Sequence, residues 1–382
     1  MKIAIVCDVL GQENNGTTIA AMNLIRYLQE QKHEVRILCC DQDKKDQPGY
    51  YVSPTMNFFI FNKYVKKNGV DIARPEDDVI RQALDGVDIV HIMLPFALGI
   101  RACKIAKEMG IPISAGCHQL AENLSTHVYM QNVKIVNRLA YIVFRKLYSN
   151  ANSIHYVTPY LRSVYEKMYG KTNGYVISNG VNDIFKPADQ PADISDKINI
   201  VYTGRYSREK THKTLLSAVK KSKYANRIQL ILPGSGPLED QLKKQAQDLP
   251  IFPQFGFVAR EKMPDVLREC YLYVHAAEIE AEGISCLEAI SCGIVPIINN
   301  SPRCATKSYA IEENNTFENG DADDLAAKID YWIDNKGKYL ENRQKYIEMS
   351  ANLFSRKKCM EQMEKMLTET ATRFRKSNND SK

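Results

Sequence analysis

Residues 278–293 read EIEAEGISCLEAISCG, set between two short apolar runs, LYVHAA (272–277) and VPIINN (295–300). Glu280 and Glu288 stand eight positions apart, and on one continuous helix they would point about 80° away from each other. A turn followed by a helix is the better reading, with Gly283 supplying a permissive backbone at the junction. Glu288 then lies inside the helix LEAISCG, which Cys292 and Gly293 close. Strand, turn, helix and strand in that order make one crossover unit of a parallel sheet. The plain alternative is an exposed acidic helix start, where carboxylates favour the positive end of the dipole.

The same alternation runs outward in both directions. KIAIVCDV, HEVRILCC, VDIVHIM, PISAGC, SIHYVT and GYVISNGV read as strands of the first half, and KINIVYTG, IQLILPG, LYVHAA and VPIINN as strands of the second. Runs rich in Val and Ile suit strands covered on both faces. Segments such as TIAAMNLIRYLQEQ and LLSAVKKSK carry helical spacing. DIFKPADQPADISDK (183–197) reads as a linker, because Pro187 and Pro191 stand among acidic residues. The expectation is an α/β protein of two open Rossmann-like domains, 1–188 and 189–350, then a helix over 351–376 and a disordered tail over 377–382. In such sheets ligands bind beyond the strand carboxyl ends, so the cleft between two facing domains is the expected site.

Composition narrows the class. A chain of 382 residues, 44% hydrophobic, suits two domains with sizeable cores. The net charge of +6 is mild and argues against a nucleic-acid partner. Ten cysteines show no disulfide or zinc-ribbon spacing, so buried thiols in a reducing cytoplasm are expected. With no CxxC or HxxxH pairing, no metal is expected. Met1 and Lys2 lead straight into a strand, and no apolar run approaches the ~20 residues of a membrane span.

Several loops suit an anionic ligand. Arg205 and Lys210, in VYTGRYSREKTHKTLLSAV, follow a strand and a glycine and precede a helix, where cations can neutralise a diphosphate. A solvated loop charge pair is the alternative. LPGSGPLEDQL places Gly234 and Gly236 at the next strand end. Gly16 and Thr17 stand immediately before a helix, whose N–H groups could face a phosphate, although an N-cap threonine explains them equally well. No GxGxxG appears, which disfavours a nicotinamide dehydrogenase, and there is no Walker lysine motif. His118 follows the strand PISAGC, where it could orient or deprotonate a hydroxyl. His91, inside VDIVHIM, reads as a buried, satisfied histidine.

Together these pieces resemble the retaining glycosyltransferases of family 4, which have the two-domain GT-B fold. NGV (179–181) with Phe185 and Pro187 resembles that family's domain junction. GRYSREK resembles its GRL-x-x-EK element, LPGSGP its glycine turn, Glu280 to Glu288 its E-x7-E signature, and NGDADDLAAKI (319–329) the stretch before its last helices. The resemblance implies that Glu280 contacts donor-sugar hydroxyls and Glu288 holds the ribose. It implies that the amides of Gly283, Ile284 and Ser285 meet sugar and phosphate, and that Arg205 and Lys210 bind the diphosphate. Gly16 and Thr17 would approach from the other domain, and His118 would sit beside the anomeric centre. Gly234 would lie in the glycine turn, and Phe257 and Val258, in QFGFVAR, would frame the base. No metal or other cofactor is implied, only a donor such as UDP-glucose or UDP-galactose. The last helix would cross back to the first domain.

Retention by front-face attack fits this set, with a covalent glycosyl-enzyme as the rival. The chain departs from the family pattern at Glu282, at the single Gly16, and in NNSPRCATK (299–307), which replaces a glycine-rich stretch. NFFIFNKYVKK (57–67) and MQNVKIVNRLAYIVFRKLY (130–148) interleave basic and apolar residues, which suits an anionic membrane surface. Bacterial enzymes that glucosylate diacylglycerol resemble this layout. The expected acceptor is therefore a membrane lipid, diacylglycerol or ceramide, at the inner face of the cell membrane. A saccharide or undecaprenyl-linked acceptor, a non-catalytic binding protein and a sugar-nucleotide epimerase are the alternatives.

Overall fold

The structure, a computed structural model, describes residues 1–8, 10, 16–57, 72–126 and 130–380. They form two compact units. The first is Met1–Ala121, Asn132–Asn179 and Cys359–Lys382, and the second is Glu122–Gln131 and Gly180–Lys358.

The first unit is built on a seven-stranded sheet: β1 (Lys2–Val6), β2 (Glu34–Cys39), β3 (Tyr50–Val52), β4 (Ile89–Ile92), β5 (Ile113–Cys117), β6 (Ser153–Tyr156) and β7 (Gly174–Val176). Their order is β3-β2-β1-β4-β5-β6-β7, and every pairing is parallel. Parallel neighbours need crossover helices. The helices along this part of the chain are α1 (Gly16–Glu30), α2 (Asp77–Leu84), α3 (Ala97–Glu108), α4 (Ala121–Thr126), α5 (Lys134–Tyr148) and α6 (Pro159–Tyr169), of which α4 belongs to the second unit from Glu122 onward. The chain reverses its winding direction between β1 and β4, which marks a switch point where ligands of such sheets bind.

The second unit repeats the plan with β8 (Ile198–Val201), β9 (Ile228–Pro233), β10 (Gln254–Gly256), β11 (Leu272–His275), β12 (Val295–Asn299) and β13 (Thr316–Phe317). The order is β10-β9-β8-β11-β12-β13, again all parallel, with its switch point between β8 and β11. Its helices are α7 (His212–Lys221), α8 (Glu239–Ala246), α9 (Met263–Arg268), α10 (Ile284–Ser291), α11 (Ala322–Asp334) and α12 (Lys336–Leu353). Every residue of β9, β11 and β12 is buried, as strands covered on both faces must be. All ten cysteines are buried as well.

The last helix, α13 (Arg356–Asn379), belongs to the first unit from Cys359 onward. There Met360, Met363, Met366, Leu367 and Ala371 share a core with Ile3, Ile5, Leu24 and Leu28. Thr370 donates to Ser153 Oγ at 2.8 Å, and Tyr175 donates to Glu369 at 2.9 Å. This anchoring carries the helix through Ser377, Asn378 and Asn379, weak helix formers that sequence composition assigned to a disordered tail. Residues 183–197, expected as a linker, instead belong to the second unit. Phe185 is buried in its core beneath the Arg260 guanidinium, 5.4 Å from the ring centroid, and Ile194 joins the same core. The units divide after Asn179, short of the expected boundary at 188. Of the basic stretch 57–67, residues 58–67 lie outside the described residues.

Candidate active site

Three strand-end loops of the second unit are knitted together by backbone bonds. Gly204 N–H donates to Pro233 O at 3.0 Å, Gly234 N–H to Gly256 O at 2.9 Å, and Tyr206 N–H to Ser235 O at 2.9 Å. A Cβ on Gly234 would lie 2.0 Å from Gly204 O, so only glycine lets the loops after β8 and β9 meet. The stem of Lys210 runs beside Gly204, which would place a Cβ 3.7 Å from Lys210 Cδ.

At the switch point the Lys210 ammonium donates to Glu280 Oε2, and His275 Nε2 lies 3.6 Å from that same oxygen. Burial alone would raise the Glu280 carboxyl. The Lys210 charge and the adjacent His275 overcome it and hold the group well below the usual carboxylate range. Burial likewise opposes the Lys210 charge, yet Glu280 keeps the ammonium above its ordinary value. Burial pushes His275 down, towards the neutral imidazole. The network continues from His275 Nδ1 to Tyr273 OH at 3.2 Å and from there to Ser285 Oγ at 3.0 Å. Arg205 donates to Glu209 Oε1 at 3.2 Å, and Ser207 Oγ reaches the same oxygen at 2.5 Å. One bond occupies a small part of a five-donor guanidinium, which remains about a third exposed.

The stretch 278–293 folds as a turn and a helix. Gly283 precedes α10 with φ +75°, and a Cβ there would lie 2.3 Å from the Thr306 methyl. The first N–H groups of α10, from Ile284 and Ser285 onward, therefore begin beside Glu280. Glu288 is buried one turn further along α10 and accepts from Arg260 at 2.6 Å. Burial raises its carboxyl above the ordinary value against the opposing pull of Arg260. In the turn after β10, Phe257 is 75% exposed, whereas Val258 is half-buried against the core.

The departing stretch 299–307 has a task that the sequence did not announce. Glu280 N–H donates to Arg303 O at 3.2 Å, and Ala305 N–H donates to Glu280 O at 2.9 Å, so this segment clamps the Glu280 backbone from both sides. Arg303 also pairs with Glu278, and Ser301 Oγ donates to Glu278 O at 2.7 Å.

The other expected residues belong to the first unit. Gly16 and Thr17 are helical and lie in α1. His118 follows β5, and its ring does not open outward. It is buried and folds back over Gly116 to meet His155 edge-on at 5.2 Å between centroids. His91 is buried, yet only one of its nitrogens is partnered, by Ser114 Oγ at 3.1 Å. Sequence reading missed that these three histidines converge, since they come from separate strands with no short-range spacing to betray them.

Two family models cover most of the chain. Residues 14–184 match "Glycosyltransferase Family 4" and residues 183–352 match "Glycosyl transferases group 1". This chain belongs to the family 4 glycosyltransferases. Its two parallel Rossmann-like sheets are those of the GT-B class. The alpha-monoglucosyldiacylglycerol synthase of Streptococcus pneumoniae is 22% identical to this glycosyltransferase over 79% of the chain and 72% of the relative. Anabaena HepE, solved in complex with UDP, shares the fold with a TM-score of 0.74, covering 97% of this chain and all of that one at 16% identity. The catalytic domain of a cholesterol-alpha-glucosyltransferase from Helicobacter pylori is 46% identical, with a TM-score of 0.40, covering 41% of this chain and 98% of its own.

Proposed function

We propose that this glycosyltransferase moves glucose or galactose from a UDP-sugar to a hydroxyl of a membrane lipid, diacylglycerol or ceramide, with retention at the anomeric carbon. On the donor side, Arg205, Lys210 and the amides at the start of α10 would take the departing diphosphate charge. Glu280 would accept from sugar hydroxyls, Glu288 from the ribose, and the turn at Phe257 and Val258 would border the base. Gly234 would let phosphate approach the backbone. From the first unit, Gly16 and Thr17 would offer amides and His118 would serve beside the reacting carbon. The acceptor hydroxyl attacks on the face that the phosphate leaves, so its proton passes to a leaving phosphate oxygen. No metal enters this scheme.

The observation that carries the lipid reading is the outer surface of α5. Tyr141, Phe144, Leu147 and Tyr148 face the core. Ile135 and Leu139, 68% and 58% exposed, join Ile142 and Val143 in an apolar sector spanning about 100° of the helix wheel. Lys134, Arg138 and Arg145 occupy an exposed sector of about 40° beside it, and exposed Lys146, in the last turn, falls within the apolar sector itself. An apolar stripe edged by cations is the pattern of a helix lying in an anionic membrane surface. No described helix is long and apolar enough to cross a membrane, so attachment would be peripheral, at the inner face of the cell membrane. The Streptococcus pneumoniae relative, named for a glucosyldiacylglycerol product, supports the same reading.

The test pairs labelled UDP-glucose, UDP-galactose and GDP-mannose with vesicles holding diacylglycerol or ceramide. Label extractable into organic solvent from one UDP-sugar is the expected result. Turnover that requires a soluble saccharide and ignores lipid would overturn the acceptor.

A further inference from the structure

The first unit gathers three imidazoles for which the transfer scheme has no joint use. His91 comes from β4, His118 from just beyond β5 and His155 from β6, and their ligand nitrogens all lie within 4.8 Å of one another. All three side chains are buried. We propose that His91, His118 and His155 form a binding site for one divalent transition-metal ion, zinc foremost.

The hydrogen bonds around the cluster show which nitrogens are left for a ligand. His155 Nε2 lies 2.7 Å from Ile177 O, and a carbonyl can only accept, so Nε2 carries the proton and Nδ1 keeps its lone pair. That Nδ1 is buried without a partner. Ser114 Oγ occupies His91 Nδ1 and leaves Nε2 unpartnered among the described residues, where neither nitrogen of His118 has a partner. Buried polar atoms are normally satisfied, and each orphan is costly. Here several orphans share one small space, and one electron-pair acceptor would satisfy them together.

The surroundings are arranged as a metal site requires. The Ile177 carbonyl and the Ser114 hydroxyl hold the far nitrogens of two rings, as outer partners of ligating histidines do. Gly116 makes room for the third, because a Cβ there would lie 2.5 Å from His118 Nε2. Zinc–nitrogen bonds of about 2.0–2.1 Å in a tetrahedron separate ligand atoms by roughly 3.3 Å. Small ring rotations close the gap, most readily at His118 in its loop. Three imidazoles with no carboxylate among them suit zinc, copper or nickel and not magnesium or calcium. Three protein ligands leave the fourth position to water. The binding claim does not depend on the transfer chemistry, although an ion held here would occupy the same His118.

The experiment takes the full chain, stripped with chelator and dialysed, and titrates it with Co²⁺ and separately with Zn²⁺. One ion per chain is expected, with visible d–d bands of tetrahedral cobalt, displacement by Zn²⁺ and a rise in thermal midpoint. His118→Ala and His155→Phe, each checked for native circular dichroism, should weaken binding by more than about 100-fold, beyond what loss of an outer partner costs. His33→Ala should leave it unchanged. Absence of stoichiometric binding in the unmutated chain would overturn the proposal, with no variant needed. So would cobalt–thiolate charge-transfer bands, or affinity that survives both histidine changes, since either outcome places the ion on the cysteines or elsewhere.

Discussion

Lys210 and Glu280 follow neighbouring strands of the second sheet and hold each other as an ion pair, with His275 3.6 Å from the shared carboxylate oxygen. Glu280→Gln keeps the shape and removes the charge, leaving a largely buried ammonium uncompensated. Loss of one partner of such a pair costs about 3 kcal/mol, and transfer should fall by roughly 100-fold. Because the folded carboxyl lies below its ordinary value, its stabilising effect is present above the unfolded pKa of about 4.3 and fades as pH falls below it. Denaturant midpoints of wild type and variant should therefore differ by a constant amount between about pH 6 and 9 and converge in acid. Equal midpoints at pH 7 would remove the pair from the account of stability.

Gly283 tests the junction that opens α10. Gly283→Ala should destabilise by about 2–4 kcal/mol, from a left-handed backbone and from overlap with the Thr306 methyl. Thr306→Ser removes that methyl. The double variant should recover the steric part and keep the backbone part, so the two changes will be non-additive in a denaturation cycle.

Glu288 and Arg260 form a second pair, deeper in α10. Glu288→Ala should weaken UDP affinity by about tenfold or more, the loss of one charged hydrogen bond. Calorimetric titration with UDP reads this directly, and undiminished affinity would take Glu288 out of the nucleotide site.

The outer face of α5 can be altered without touching the fold. Ile135→Ser, Leu139→Ser and Ile142→Ser together should leave the thermal midpoint nearly unchanged, since all three are exposed. Sedimentation with anionic vesicles should fall sharply. Lys134→Glu with Arg138→Glu should abolish the salt dependence of what binding remains.

Asp8 follows β1 and is buried, accepting from Ala73 N–H at 3.1 Å. Burial raises its carboxyl to about 7 against that bond. The folded state therefore holds a proton that the unfolded state releases near pH 4, so this group's contribution is complete at low pH and is lost as pH rises towards 7. Asp8→Asn should be stabilising relative to wild type at pH 8 by up to a few kcal/mol and near neutral at pH 4. The comparison between chains matters, because the buried histidines shift the absolute curve in the opposite sense.

The central strands were legible because each is a short apolar run buried on both faces, as in IQLILP and LYVHAA. The strands that sequence reading missed are β3, β10 and β13, edge strands of two or three residues with no such run. Glu280, Glu288 and Lys210 could be found because their spacing survives as a linear motif. The clamp of Arg303 and Ala305 on Glu280 works through backbone groups, which any side chain can present, so residues 299–307 carried no signal. The histidine cluster was hidden for a different reason: sheet order, not sequence distance, brings β4, β5 and β6 side by side.

The burial of every cysteine gives the native protein an unusual handle. Burial pushes the thiols of Cys39, Cys117, Cys292 and Cys304 up to about 12 and Cys103 to about 11, so thiolate is scarce at neutral pH. Native chains should consequently ignore a maleimide dye that floods all ten sites on unfolding. A cysteine installed on the surface would label selectively in the unmodified background, and the slow appearance of further label would time the opening of each unit.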